Sequence, residues 1–103
     1  METNHLKITG TIISIQDAIQ GENWIKQAFQ IRTDGEYSKV VSFICFNNCQ
    51  DQLSRCKIYD KVTVYFNPES RSHQDKWYTE LLAWRININF NKIEEHYYKT
   101  TAQ

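Results

Sequence analysis

Residues 23–46, NWIKQAFQIRTDGEYSKVVSFICF, decide the fold. Within WIKQAFQIRT, apolar Ile25, Phe29 and Ile31 fall on one side of a period-two alternation, and Trp24, Lys26, Gln30 and Arg32 fall on the other. That is the pattern of a strand with one face on a core. Asp34-Gly35 gives a hairpin signal. The returning segment EYSKVVSFICF sets Val40, Ser42 and Ile44 against Tyr37, Lys39, Val41 and Phe43, and on apolarity alone either set suits an interior. A solvent face carrying Trp24, Lys26, Gln30, Arg32, Tyr37, Lys39 and Phe43 is more than water requires. Aromatics mixed with cations suit a partner that is both anionic and flat.

Working outward from this hairpin, LKITGTIISIQ is rich in Ile and Thr and holds Gly10, which predicts a bent or bulged first strand of the kind a closing barrel needs. DAIQGEN is a polar loop around Gly21. On the other side, NNCQDQLSRC begins with Asn residues and lacks β-branched side chains, so it predicts a short helix with Cys49, Leu53 and Cys56 on one side, placed to plug a barrel end. KVTVYF alternates Val62, Val64 and Phe66 with Lys61, Thr63 and Tyr65, and Pro68 ends or edges that strand. ESRSHQDK is expected as a polar loop before a last strand, KWYTELLAWRINI, whose register stays open: Trp77, Leu81 and Ala83 compete with Tyr78, Leu82, Trp84 and Ile86. The order strand, strand, strand, helix, strand, strand predicts an all-β domain with one short helix, a five-stranded Greek-key barrel of the OB-fold type, over residues 1–90. Residues 91–103 are expected to form a C-terminal extension, a short helix or a partly disordered tail.

The 103 residues suit one domain with a single core. A formal net charge of zero excludes a strong bulk field, so any attraction for nucleic acid must come from local placement of Lys and Arg. No apolar run approaches the ~20 residues that span a bilayer, and METNHLKITG lacks a signal-peptide pattern, so no membrane association and a cytoplasmic location are expected. Cys45, Cys49 and Cys56 lack paired metal-site spacing and are expected as buried free thiols. His5, His73 and His96 are scattered, with no acidic or Cys cluster beside them. No metal and no cofactor is therefore expected.

EYSKVVSFICF, a helix holding QDQLSRC, IYDKVTVYF and KWYTELLAW together resemble the pattern of bacterial single-stranded DNA-binding proteins, over residues 6–86. W-x-K-Q-x-F followed by W-Y-T-x-x-x-A-W is similar to a family of small OB-fold proteins of bacteria and their phages described mainly as a domain of unknown function. The resemblance implies that Tyr37 and Phe43 are base-stacking platforms, that Lys39 contacts phosphate, and that Trp24 holds an aromatic position near the start of the second strand. It implies a phage-encoded protein in the host cytoplasm, or a bacterial one. The resemblance also implies replication proteins as partners; the single-stranded DNA-binding family usually recruits them through a flexible linker and an acidic tip, and IEEHYYKTTAQ departs from that pattern.

Three function classes follow. The first is a non-catalytic single-stranded DNA-binding protein of replication or recombination, with RNA tolerated by the same stacking surfaces. Its candidate contacts are Trp24, Lys26, Arg32, Tyr37, Lys39 and Phe43, with a second set, Arg71, Lys76 and Trp77, around the loop before the last strand. Modest affinity from one domain predicts a homo-oligomer, a dimer or tetramer. The second class is an OB-fold module that meets another protein through the same aromatic face, which zero net charge favours. The third, an enzyme, finds no nucleophile with a base at motif spacing, no phosphate-cradling glycine loop and no carboxylate pair.

Overall fold

In the computed structural model, which describes residues 5–89, the chain runs β1 (Leu6–Ile15), β2 (Ile19–Gln20), β3 (Ile25–Thr33), β4 (Val40–Phe46), α1 (Asn48–Leu53), β5 (Lys61–His73) and β6 (Lys76–Ile88). β2 is a two-residue strand on the edge of β3, inside the segment expected as a loop. The C-terminal extension expected over residues 91–103 lies outside the described residues.

Hydrogen bonding runs β1-β5-β6-β4-β3, and β1 pairs with β3 to close the ring. β4 and β6 meet in parallel at Ile44↔Leu82 and Cys45↔Ala83, and the other pairings are antiparallel. This is the five-stranded OB-fold barrel that the element order predicts.

Closure depends on β1 serving two neighbours. Its first half pairs with β5, from Leu6↔Phe66 to Thr11↔Lys61, and its second with β3, from Gly10↔Thr33 to Ile15↔Phe29. Gly10 lies where the two pairings overlap, and a Cβ there would sit 2.6 Å from the Arg32 carbonyl oxygen. Glycine is thus required for close approach of the strands. The bulge itself falls three residues later, at Ile13, between Ile12 and Ser14.

A second bulge settles the last strand. Tyr65 pairs with Arg85 and Phe66 with Ala83, so Trp84 is the extra residue. A bulge of one residue reverses the parity of the side chains beyond it. Leu81 and Ala83 therefore face inward before the bulge and Ile86 and Ile88 after it. Neither competing set runs the length of the strand.

The core holds Ile12, Phe29, Ile31, Phe43, Leu53, Val62 and Val64, all essentially inaccessible to water. Phe43 corrects the register expected for β4. It pairs with Phe29, so it shares the inward face; their rings stack with centroids 5.4 Å apart, and Phe66 meets Phe43 edge-on at 5.3 Å. Lys39 has the same parity as Phe43 but lies before β4 begins, past the mouth of the barrel, where an inward position meets solvent. The outward set is Val40, Ser42, Ile44 and Phe46, facing the same way as Arg32, Gln30, Ala28 and Lys26 of β3.

Helix α1 closes one end, burying Cys49 and Leu53, with Cys56 buried just beyond. Asn47 does not cap it. Its Oδ1 accepts from the Ile25 backbone N–H at 3.1 Å and its own N–H donates to the Ile25 carbonyl at 2.9 Å, tying the helix start to β3. Gln52 Oε1 accepts from the Ile86 N–H at 2.7 Å, tying its last turn to β6. The three cysteines are buried free thiols, as expected. Cys45 and Cys49 bring their sulfurs to 2.8 Å, and that contact, with burial, holds the Cys45 thiol far above its ordinary pKa. Burial, with the Asp60 and Cys49 charges, pushes Cys56 up to about 11.

ESRSHQDK is not a loop. β5 continues to His73 and β6 begins at Lys76, so the two strands leave the barrel as a hairpin arm whose turn is only Gln74-Asp75. Both turn residues have positive φ, 54° and 66°, as the tight hairpin turn matching strand twist requires. Beyond Asn67 the arm spans about 20 Å at the usual strand rise. Pro68 lies just past the end of the β1 pairing, where β5 becomes an edge and a missing N–H costs least.

Candidate nucleic-acid interface

The predicted residues fall into three groups, with Phe43 withdrawn to the core. Trp24 and Lys26 stand at the start of β3, where the Trp24 indole packs over Gly21 so closely that a Cβ there would lie 2.1 Å from it. The Lys26 Nζ lies 5.9 Å from the Trp24 ring centroid, and 42% of Trp24 remains exposed. Arg32 projects from the same outward face about 20 Å further along β3. Tyr37 and Lys39 follow in the turn between β3 and β4, where Tyr37 is 81% exposed. Thr33 anchors this turn: its Oγ1 accepts from the Lys39 N–H at 2.8 Å, and its N–H donates to the Lys39 carbonyl at 2.8 Å.

Between these ends, β3 and β4 are held by side chains. Gln30 Nε2 donates to Ser42 Oγ at 2.8 Å, while Gln30 Oε1 accepts from Gln16 Nε2 at 2.9 Å and from the Ser14 hydroxyl. The remaining outward positions are apolar: Val40 and Phe46 are exposed, and Ala28, Ile44 and the adjoining Leu82 are half-buried. Sequence reasoning missed this apolar stripe. Its signal is the Val40, Ser42, Ile44, Phe46 alternation, once Phe43 is assigned inward.

The third group is on the arm. Alternation puts Arg71, Lys76 and Tyr78 on the face continuous with Leu82, and Trp77 on the opposite face with Ser72 and Thr79. The structure therefore does not gather Trp77 with Arg71 and Lys76, and the aromatic beside those two cations is Tyr78, which is absent from the predicted set. Arg71 donates to Glu80 at 2.7 Å, which offsets its charge. Lys26, Arg32, Lys39 and Lys76 are in no ion pair among the described residues.

β4 and β6 are paired only at Ile44–Cys45 and Leu82–Ala83 and splay apart toward the N-terminal ends of both strands. Between them lies an open groove of about 440 Å3 lined by Val40, Val41, Ser42, Ile44, Thr79, Glu80 and Leu81. The turn carrying Tyr37 and Lys39 leads into one wall, and the arm carrying Lys76, Trp77 and Tyr78 leads into the other. Trp77 is 73% exposed. The groove, with the aromatics and cations on the turn and arm that lead into it, offers stacking surfaces and anion contacts. Among the described residues no cluster of His, Cys, Asp or Glu is placed to hold a metal, and no helix is long and apolar enough to cross a membrane.

Solved structures of similar shape agree with the fold. The second single-stranded DNA-binding protein, SSBb, of Mycobacterium smegmatis matches with a TM-score of 0.69 at 16% identity, over 82% of this chain and 87% of that one. The mitochondrial single-stranded DNA-binding protein Rim1 of S. cerevisiae matches with 0.68 at 17% identity, over 84% and 96%. The dimeric N-terminal domain of PriB from Thermoanaerobacter tencongensis matches with 0.68 at 12% identity, over 87% and 100%. At these identities the likeness establishes the fold. No curated protein matches the sequence. The family model that matches spans residues 7–87, the barrel and its arm together, and by it this OB-fold chain belongs to the domain of unknown function DUF3127.

Proposed function

We propose that the domain is a non-catalytic binder of single-stranded DNA, acting in replication or recombination through base stacking and phosphate contacts. The observation that carries the reading is the exposure of Tyr37 and Trp77, two large aromatics left in water on the turn and the arm that lead into the two walls of the β4–β6 groove, with Lys39 in the turn of Tyr37 and Lys76 on the arm's other face beside Tyr78. Single strands offer a π-face on every base and a phosphate between neighbours, so such a pairing of groups matches them without sequence preference. Trp24, Lys26 and Arg32 extend the track along β3, and Arg71 and Tyr78 extend it along the arm. The single-stranded DNA-binding function named for SSBb and Rim1 supports the reading.

One domain with a few platforms gives modest affinity, so the working form is a homo-oligomer, for which the dimeric PriB domain offers support by analogy. The second reading, a protein-binding module in the same place, is favoured by the Val40, Ile44, Phe46 and Leu82 stripe and by zero net charge. Titrating tryptophan fluorescence with oligo-thymidine of about 35 nucleotides separates the two. Quenching that weakens with salt and is absent with duplex supports the proposal. No change at tens of micromolar protein and low salt refutes it and leaves the protein-binding module.

A further inference from the structure

The three thiols take no part in the binding surface, and two of them touch. Cys45, near the end of β4, and Cys49, in the first turn of α1, are joined by Phe46, Asn47 and Asn48, and the chain turns at Asn47, where φ is 49°. That turn sets the two sulfurs 2.8 Å apart, closer than unbonded sulfurs ordinarily pack. Thiolates that share a tetrahedral zinc stand about 3.8 Å from one another, so the spacing does not suit a shared metal. It exceeds a disulfide bond by only about 0.8 Å. The third thiol turns elsewhere: Cys56 donates to the Gln52 carbonyl at 3.5 Å.

The two sulfurs differ in access. Cys45 is wholly inaccessible, whereas Cys49 lines an open pocket of about 420 Å3 with Phe46, Asn48, Asn67, Leu82 and Trp84. Hydrogen peroxide, little larger than water, fits such a pocket. We propose that Cys45 and Cys49 are a reversible oxidation site, which hydrogen peroxide converts to an intramolecular disulfide with the barrel intact. The Cys49 thiolate attacks one peroxide oxygen and the O–O bond breaks. The sulfur keeps that oxygen as a sulfenic acid, and the other leaves as hydroxide, which takes up the proton Cys49 gave to solvent. Cys45, kept protonated by its contact with Cys49 and by burial, then attacks the sulfenic sulfur. The S–O bond breaks, and the hydroxyl leaves with the Cys45 proton as a second water. Two thiols are oxidised and one peroxide is reduced, and a dithiol reverses the change by exchange. The pairing protects the core. A disulfide is apolar, whereas Cys49 without a partner would go on to a sulfinate and bury a charge in the cluster it shares with Leu53. The site does not depend on the binding function proposed above.

The test treats the folded protein with a modest excess of hydrogen peroxide, denatures it, blocks free thiols with iodoacetamide and digests it with trypsin. Cleavage after Lys39 and Arg55 leaves Cys45 and Cys49 in one peptide, residues 40–55, and Cys56 in another. The 40–55 peptide should carry no blocking group and be lighter by two hydrogens, with Cys56 blocked, and a dithiol added before blocking should restore both thiols. The Tm of the oxidised protein should not fall. In Cys45→Ala the same treatment should add oxygen to Cys49 and lower Tm by about 5 °C or more. A 40–55 peptide with both thiols blocked, oxygen added to Cys49 in the parent, or a link to Cys56 or to a second chain overturns the proposal. Should Cys45→Ala fail to fold, the masses of the parent's peptides decide alone.

Discussion

Replacing Phe43 by Ala discriminates most sharply between the inside and outside of the barrel. Were Phe43 a base-stacking residue on the surface, its removal would leave stability within about 0.5 kcal/mol. In the structure it is fully buried, stacked on Phe29 and edge-on to Phe66. The substitution removes about 100 Å2 of apolar surface from burial, worth about 2.5 kcal/mol, and opens a cavity whose cost depends on how far the barrel relaxes. Losing both aromatic pairs adds about 0.5–1.5 kcal/mol each before relaxation. The expected net cost is about 3–5 kcal/mol, the range of buried Phe-to-Ala changes. For a domain whose whole stability is of order 5–15 kcal/mol that is a large share, and it corresponds to a fall in Tm of about 15–30 °C. Urea denaturation followed by circular dichroism measures it, with Phe43→Leu as a control that keeps most of the volume. A loss below about 1 kcal/mol for Phe43→Ala would refute the inward register of β4.

Tyr37→Ala gives the complementary result, with thermal stability unchanged within about 0.5 kcal/mol and single-strand affinity reduced by about 1–3 kcal/mol in a fluorescence titration. Lys26, Arg32, Lys39 and Lys76, in no ion pair among the described residues, at about −0.7 per phosphate contact predict a salt slope of about −3 for log affinity, measured by repeating the titration across salt concentrations. Gly10→Ala should destabilise by about 1–3 kcal/mol in urea denaturation, because the new Cβ meets the Arg32 carbonyl and β1 and β3 must part. The Cys56 thiol, at about 11 in the folded chain against 9.0 ordinarily, favours folding fully below the lower value. Between the two the unfolded state releases the proton first, so stability falls as pH rises through that window, and Cys56→Ala should flatten the fall in denaturation midpoints.

The barrel's order was legible because strands with one buried face alternate. Phe29 and Ile31 opposed to Gln30 and Arg32 fixed the inward side of β3, and Val62 and Val64 did the same for β5. β4 was not legible, because Val41, Phe43 and Cys45 and the opposite Val40, Ile44 and Phe46 are all apolar, and carrying the exposed Tyr37 and Lys39 forward by parity ignored that the strand starts only at Val40. β6 resisted because Trp84 bulges and reverses parity midway. The arm was hidden for another reason: having left the barrel, it wets both faces, so residues 69–76 show no alternation, and its turn uses Gln74-Asp75 rather than a glycine. Of the candidate contacts, the β3 and turn residues stayed on the surface as expected. The contact between Cys45 and Cys49 was not legible, because one lies on a strand and the other on a helix, and only the turn at Asn47 brings their sulfurs together.

The most direct measurement is an amide and indole NMR spectrum of the 15N-labelled domain, titrated with oligo-thymidine of about 8 nucleotides at low salt. The account predicts shifts of the Trp24 and Trp77 indole signals and of the amides of Lys26, Arg32, Tyr37 and Lys39, with the core amides of Phe43 and Val64 unmoved. A spectrum that does not change at saturating oligonucleotide, or changes that leave the β3–β4 face and the arm untouched, would contradict it.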